Sequence, residues 1–239
     1  MTLRNVSTIL LAACALAIGL AGCDWMPGRP KPADKWEAPD KVVGFEKLYR
    51  ENCIACHGLG SVTGASIAMD DPTYLAVLPA ETLLNDIANG VHGTAMPGAS
   101  QAAGGTLTAD QIEAIKVGIL AKKPAALSSS PLPAYSAPLG DSARGAQVFA
   151  TSCASCHGTA GTGGEKARSV VDPAYLGLVS DQYLRTVVIA GRTELGCPNF
   201  LNRTPGKAMS DADIADVTAW LVSHRKNEFG QPLIAPKLP

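Results

Sequence analysis

The sequence predicts an all-α protein made of two tandem units of one kind. Three observations carry this. The first is an internal duplication. CIACH at Cys53 to His57 and CASCH at Cys153 to His157 are offset by 100, and DPTYL (Asp71 to Leu75) and DPAYL (Asp172 to Leu176) by 101. IANG and VIAG, ending at Gly90 and Gly191, are also offset by 101, and LTADQI and MSDADI, ending at Ile112 and Ile214, by 102. Four landmarks in one order at nearly constant spacing describe a repeated unit of about 100 residues. The second observation is helical apolar spacing in three segments of each copy. The third is that no run alternates apolar and polar residues as a half-buried strand would.

The chain begins with an apolar stretch, VSTILLAACALAIGLAG, following Arg4. A charged start, an apolar run of this length and a small-residue end fit an export signal rather than a spanning helix. The run closes on LAGC, Leu20 to Cys23, which resembles the bacterial lipobox. On that resemblance residues 1–22, with Cys14, are a lipoprotein signal peptide, and Cys23 becomes the acylated first residue, held on a membrane surface without spanning it. The same resemblance implies that Asp24, directly after the acylated cysteine, favours retention in the inner membrane. The alternative is an ordinary signal cut near Ala21, with Cys23 a free thiol. Residues 23–41, including PGRPKPADKWEAPDK, read as lipid anchor and semi-rigid Pro-rich tether.

Two units are expected next, at 42–123 and 141–227, joined by a partly extended Pro/Ser/Ala-rich linker at 124–140 and followed by a tail at 228–239. In the first unit KVVGFEKLYREN leads into CIACH; in the second SARGAQVFATS leads into CASCH. PAETLLNDIANG and VSDQYLRTVVIAG each end at a glycine stop. TADQIEAIKVGILAKK and SDADIADVTAWLVSHR each open on a Thr or Ser cap with an early acid. Each unit is thus three main helices with Gly-rich loops between. The formal charge of −1 leaves no field for nucleic acid, and 5% aromatic residues make thin cores for domains of this size. A large buried cofactor would supply the missing apolar surface.

CxxCH names that cofactor. Two thiols three positions apart near a helix end can bond to the two vinyl groups of one haem, and the next imidazole then meets the iron. A redox-active CxxC needs no His. A zinc site would want the two CxxC pairs together, whereas they lie in separate repeats. Cys53, Cys56, Cys153 and Cys156 are therefore assigned to two covalent haem c groups, with His57 and His157 as proximal ligands.

With these motifs, each unit resembles a small class I cytochrome c domain, over Val42 to about Lys123 and Asp141 to about Lys226. The pair resembles dihaem cytochromes c of bacterial respiratory and photosynthetic chains. The resemblance implies electron transfer between membrane complexes and a distal Met before a Pro, some forty residues after CxxCH. GTAMPG supplies Met96 and Pro97; His92, four residues earlier, is a competing donor, though a lone loop His reads rather as solvent-facing or structural. In the second unit the same spacing from glycine falls on Cys197, followed by Pro198. A thiolate there would stabilise ferric iron where a thioether favours ferrous. The alternatives are Met209, which aligns with Leu107, and an open iron or a Cys197 paired with another chain. Such domains also cross their first and last helices closely. The facing pairs expected are Phe45 with Gly118 and Gly145 with Trp220, large and small partners exchanged between the copies.

The function expected is a membrane-anchored, periplasmic electron-transfer protein working with redox partner proteins or a membrane electron-transfer complex, with no catalytic residues. Two other classes stay open. One is a haem enzyme of thiosulfate-oxidising or peroxidase type at the second haem, where Glu194 is the only carboxylate in the distal loop. The other is a bound cytochrome subunit docked by the Pro-rich segments and the tail FGQPLIAPKLP.

Overall fold

The computed structural model describes residues 31, 36–60, 62–125, 131–204 and 206–226. The signal segment, Cys14, Cys23, most of the tether, residues 126–130 of the linker and the tail at 228–239 lie outside them. The chain divides into two compact units, 1–41 and 42–239. In the first, Pro39–Lys41 forms a 3-10 turn whose last residue donates to the Ala38 carbonyl (2.8 Å).

The second unit holds both copies of the repeat. In chain order the first copy contains α1 (Phe45–Asn52), α2 (Ile54–His57), α3 (Pro72–Val77), α4 (Ala80–Asn89) and α5 (Ala109–Leu120). The second contains α6 (Ser142–Ser152), α7 (Ala154–His157), α8 (Pro173–Leu178), α9 (Asp181–Ala190) and α10 (Asp211–Ser223). Among the described residues each copy therefore has the three main helices expected, two short α-helices and one 3-10 turn, Gln101–Ala103 in the first and Thr193–Leu195 in the second. Among the described residues there are isolated bridges but no strands.

The helix ends follow from local chemistry. Asp71 and Asp172 accept from the Tyr74 and Tyr175 amides (2.7 and 3.0 Å), each followed by Pro at the first helical position. Thr108 with Gln111, and Ser210 with Asp213, form reciprocal capping boxes at α5 and α10. Gly90 and Gly191 end α4 and α9 at φ 72° and 76°. A side chain at either would strike the backbone of the following loop, at the Met96 carbonyl in one copy and the Cys197 carbonyl in the other. These two glycines press each distal loop against its helix.

Each copy closes on its own core. Tyr49, Leu75, Ile115 and Ile119 lie at the centre of the first; Phe149, Leu176, Ile214 and Val217 at the centre of the second. The leading and final helices cross where the sequence places them. A Cβ on Gly118 would lie inside the Phe45 ring, and one on Gly145 would strike the Asp216 carbonyl and the Trp220 Cβ. Large and small partners are indeed exchanged between the two crossings. The second crossing is reinforced by Arg144, which donates Nε and Nη2 to the buried Asp216 carboxylate (2.9 and 3.1 Å). The Asp141 amide donates to the same carboxylate (2.7 Å).

The copies also pack on one another. Ala190 of α9 belongs to the first core, and Val77 of α3 packs on the second. The described part of the linker is strapped down rather than free. Arg185 donates to the Ala134 and Tyr135 carbonyls and to Asp211, Gln182 donates to the Tyr135 carbonyl, and the Tyr135 ring packs on the first core.

Candidate functional site

Both CxxCH segments sit at a bend between two helices. Cys53 and Cys153 leave helical geometry at the ends of α1 and α6, and the next four residues form one short helical turn. Tyr49 locks the first bend by donating its hydroxyl to the Gly58 carbonyl (2.8 Å). All four CxxC cysteines are free thiols. Burial, with Cys56 adding to it, pushes the Cys53 thiol up to about 11; burial likewise raises Cys153.

The two imidazoles are oriented identically. His57 Nδ1 lies 3.0 Å from the Ile67 carbonyl, and His157 Nδ1 lies 2.8 Å from the Arg168 carbonyl. A carbonyl only accepts, so Nδ1 carries the proton and Nε2 keeps its lone pair for a metal. Burial holds His57 below the ordinary imidazole value, against the Ile67 bond and with help from the Arg192 charge.

The distal loops share one frame. Val91 donates its amide to the Met96 carbonyl (3.0 Å), and Arg192 donates to the Cys197 carbonyl (2.9 Å). Bridges join Gly90 to Pro97 and Arg192 to Cys197. Met96 and Cys197 thus occupy the same place in equivalent loops, both half-buried. Met209 is 6% exposed within the second core, its amide bonded to the Phe200 carbonyl (3.0 Å), as Leu107 is bonded to Ala99. His92 is exposed. Glu194 is held by Arg192 Nε (2.5 Å) and is not a free carboxylate.

Cys197 and His157 lie near enough for each to shift the other's titration. Arg203 donates Nη1 to the Cys197 sulfur (3.5 Å), while its Nε and Nη2 are fixed on the Val188 and Val187 carbonyls (3.0 and 2.8 Å). Burial opposes a charged Cys197. The His157 bond, the Arg203 charge and the Arg192 amide outweigh it and bring the thiol down to about 7. The same bond to Cys197 raises His157 against burial.

This donor set fits a covalently held haem. Each site offers two thiols at one bend, one imidazole with its nitrogens sorted by a carbonyl, and one sulfur in a loop that glycine presses into place. Among the described residues no three His, Cys, Asp or Glu side chains gather as a bare-metal site would require. The comparisons agree. The cytochrome c family model matches residues 142–225, and that of cytochrome c oxidase, cbb3-type, subunit III matches residues 42–117. The chain carries two tandem cytochrome c-type domains. No curated protein matches this chain. Among solved structures it is similar to a chain of the reducing HAO-like protein complex of Kuenenia stuttgartiensis. That likeness covers 80% of this chain and 100% of the other, at 17% identity and a TM-score of 0.43.

Two features of the cytochrome's second site were not readable beforehand. Arg203 stands in the copy where the first has ASQAAGG, without a basic residue, so the repeat gives no cue to it. Arg192 stands where the first copy has Val91, and the carbonyls that its Nη atoms meet, Ala65 and Gly64, lie more than a hundred residues away.

Proposed function

We propose that this protein is a dihaem electron-transfer cytochrome c, exported and held on the periplasmic side of a bacterial membrane by lipid on Cys23, with the inner membrane favoured by Asp24. Each bound haem supplies an iron that accepts and returns one electron. Cys53 and Cys56 hold one haem, Cys153 and Cys156 the other. His57 and Met96 are the iron ligands of the first, His157 and Cys197 of the second. The observation that carries the assignment is the shared frame of the distal loops, which sets Cys197 where the first domain has Met96.

The chain's own residues set the character of each site. The Ile67 and Arg168 carbonyls fix both imidazoles and raise their basicity. Met96 brings a neutral thioether to the first site. Cys197 brings an anionic sulfur to the second, with Arg203 donating to it. The engagement of Glu194 by Arg192 leaves no free acid or base in that loop, which supports electron transfer over peroxidase chemistry. The match of the first domain to a cytochrome oxidase subunit model supports a membrane electron-transfer complex as the partner. Mass spectrometry of the mature protein tests this reading: two covalent haems and an acylated Cys23 are expected, and a single haem or an unacylated terminus would contradict it.

A further inference from the structure

Arg192 links the two sites. Its backbone exchanges both hydrogen bonds with Cys197, amide to carbonyl at 2.9 Å and carbonyl from amide at 3.0 Å. Its side chain leaves the second domain. Nη2 donates to the Gly64 carbonyl (2.7 Å) and Nη1 to the Ala65 carbonyl (3.1 Å), both in the loop that follows CIACH. That loop is welded to the first site. The Ser66 amide donates to the Cys56 carbonyl (2.8 Å), and the Ile67 carbonyl accepts from His57. Gly64 lies so close to Cys56 that a Cβ there would meet the Cys56 carbonyl. The path from Cys197 to Cys56 and His57 is therefore a short chain of hydrogen bonds through one side chain.

The shared fold does not require this residue, since the first domain does with Val91 at the equivalent position. Nor would lysine replace it. Only a planar fork can serve two successive carbonyls while its Nε is held by Glu194. The Arg192 side chain is 12% exposed, so its charge is poorly screened where it meets the CIACH loop. The first domain answers across the same interface. Ala95, next to Met96, donates its amide to the Leu178 carbonyl (3.2 Å), and Asn199, two residues beyond Cys197, donates to the Thr73 hydroxyl (3.2 Å). Each distal loop is thus bonded to the opposite domain.

We propose that Arg192 is the positioning residue that couples the two haem sites, fixing the Cys197 loop against the CIACH loop and thereby setting the rate of electron exchange between them. One electron given up at one site is gained at the other, and no bond or proton changes hands. The inference rests on the dihaem electron-transfer reading above.

The test uses the full-length protein with both haems attached. A single electron is injected by pulse radiolysis and its redistribution between the two spectrally distinct haems is followed. Each potential is read by titration. The wild type comes first: if it shows no exchange between two haems, the electron-transfer reading falls and the coupling with it. Given exchange in the wild type, Arg192→Val, which installs the residue of the first domain, should slow it severalfold. It should also lower the potential of the first haem, because a nearby positive charge that opposes ferric iron has gone, while the Met96 spectrum stays intact. Arg192→Lys keeps the charge but not the fork, so it should hold that potential and regain only part of the rate. Wild-type rate and potential in Arg192→Val would overturn the coupling and leave the dihaem reading standing. If Arg192→Val does not accumulate, a wild-type rate in Arg192→Lys overturns it equally.

Discussion

At the scale of single residues, the second site is defined by what surrounds one sulfur. Cys197 has His157 on one side and the Arg203 guanidinium on another, and Arg203 is itself pinned by two α9 carbonyls. A charge-assisted hydrogen bond withdraws electron density from a thiolate and makes it a weaker donor to ferric iron. Arg203→Met should therefore lower the potential of the second haem and leave the first unchanged; a spectroelectrochemical titration of the variant checks this. Asp216 offers a second case. The Arg144 bonds, then the Asp141 amide, outweigh burial and hold its carboxyl below the ordinary value. A carboxylate depressed in the folded state contributes stability above its unfolded pKa and loses it as pH falls through the folded one. Acid unfolding of the second domain below about pH 4 should therefore include an Asp216 component. Asp216→Asn should flatten that part of the pH profile and cost on the order of 1–3 kcal/mol at neutral pH, read by denaturant titration.

At the scale of elements, the two helix crossings make a matched experiment. Gly118 faces a side chain, the Phe45 ring, whereas Gly145 faces the Asp216 backbone carbonyl. A ring can be trimmed or can turn; a helical carbonyl cannot. Gly118→Ala should cost about 1–3 kcal/mol and be rescued by Phe45→Leu. Gly145→Ala should cost more and gain nothing from trimming Trp220, as thermal melts of the four variants would show. The size exchange was legible in sequence because the repeat aligns the helices, and a volume lost on one helix is regained on its partner. The helix caps were legible for the same local reason, since Thr108 with Gln111 and Ser210 with Asp213 act over three residues. The two short helices at Pro72–Val77 and Pro173–Leu178 carry too few residues to show a helical period and were visible only as matching DPxYL motifs. Arg185 and Gln182 strapping the linker were not legible at all. Their partners are backbone carbonyls of Ala134 and Tyr135, which carry no residue-type signal.

At the scale of the whole molecule, the duplication lets each domain serve as the other's reference. It showed in sequence that Cys197 stands where Met96 does, and the structure gives both loops one backbone frame. It could not show that the copies meet through Arg192, because a contact across 127 residues leaves no local pattern. The proposed membrane attachment is tested at this scale too. Cys23→Ala should release the protein from the membrane fraction while leaving both haem spectra unchanged, since acylation at Cys23 is remote in sequence from either CxxCH. The central claim is that one fold, used twice, holds two haems with different distal sulfurs, a thioether at Met96 and a thiolate at Cys197. A redox titration of the full-length protein followed by absorption spectra tests it most directly. Two well-separated potentials are expected, the Met96 site high and the Cys197 site low, with Cys197→Met raising the low one and converting its spectrum to that of the first. Two closely spaced high potentials, unchanged in Cys197→Ala, would contradict it.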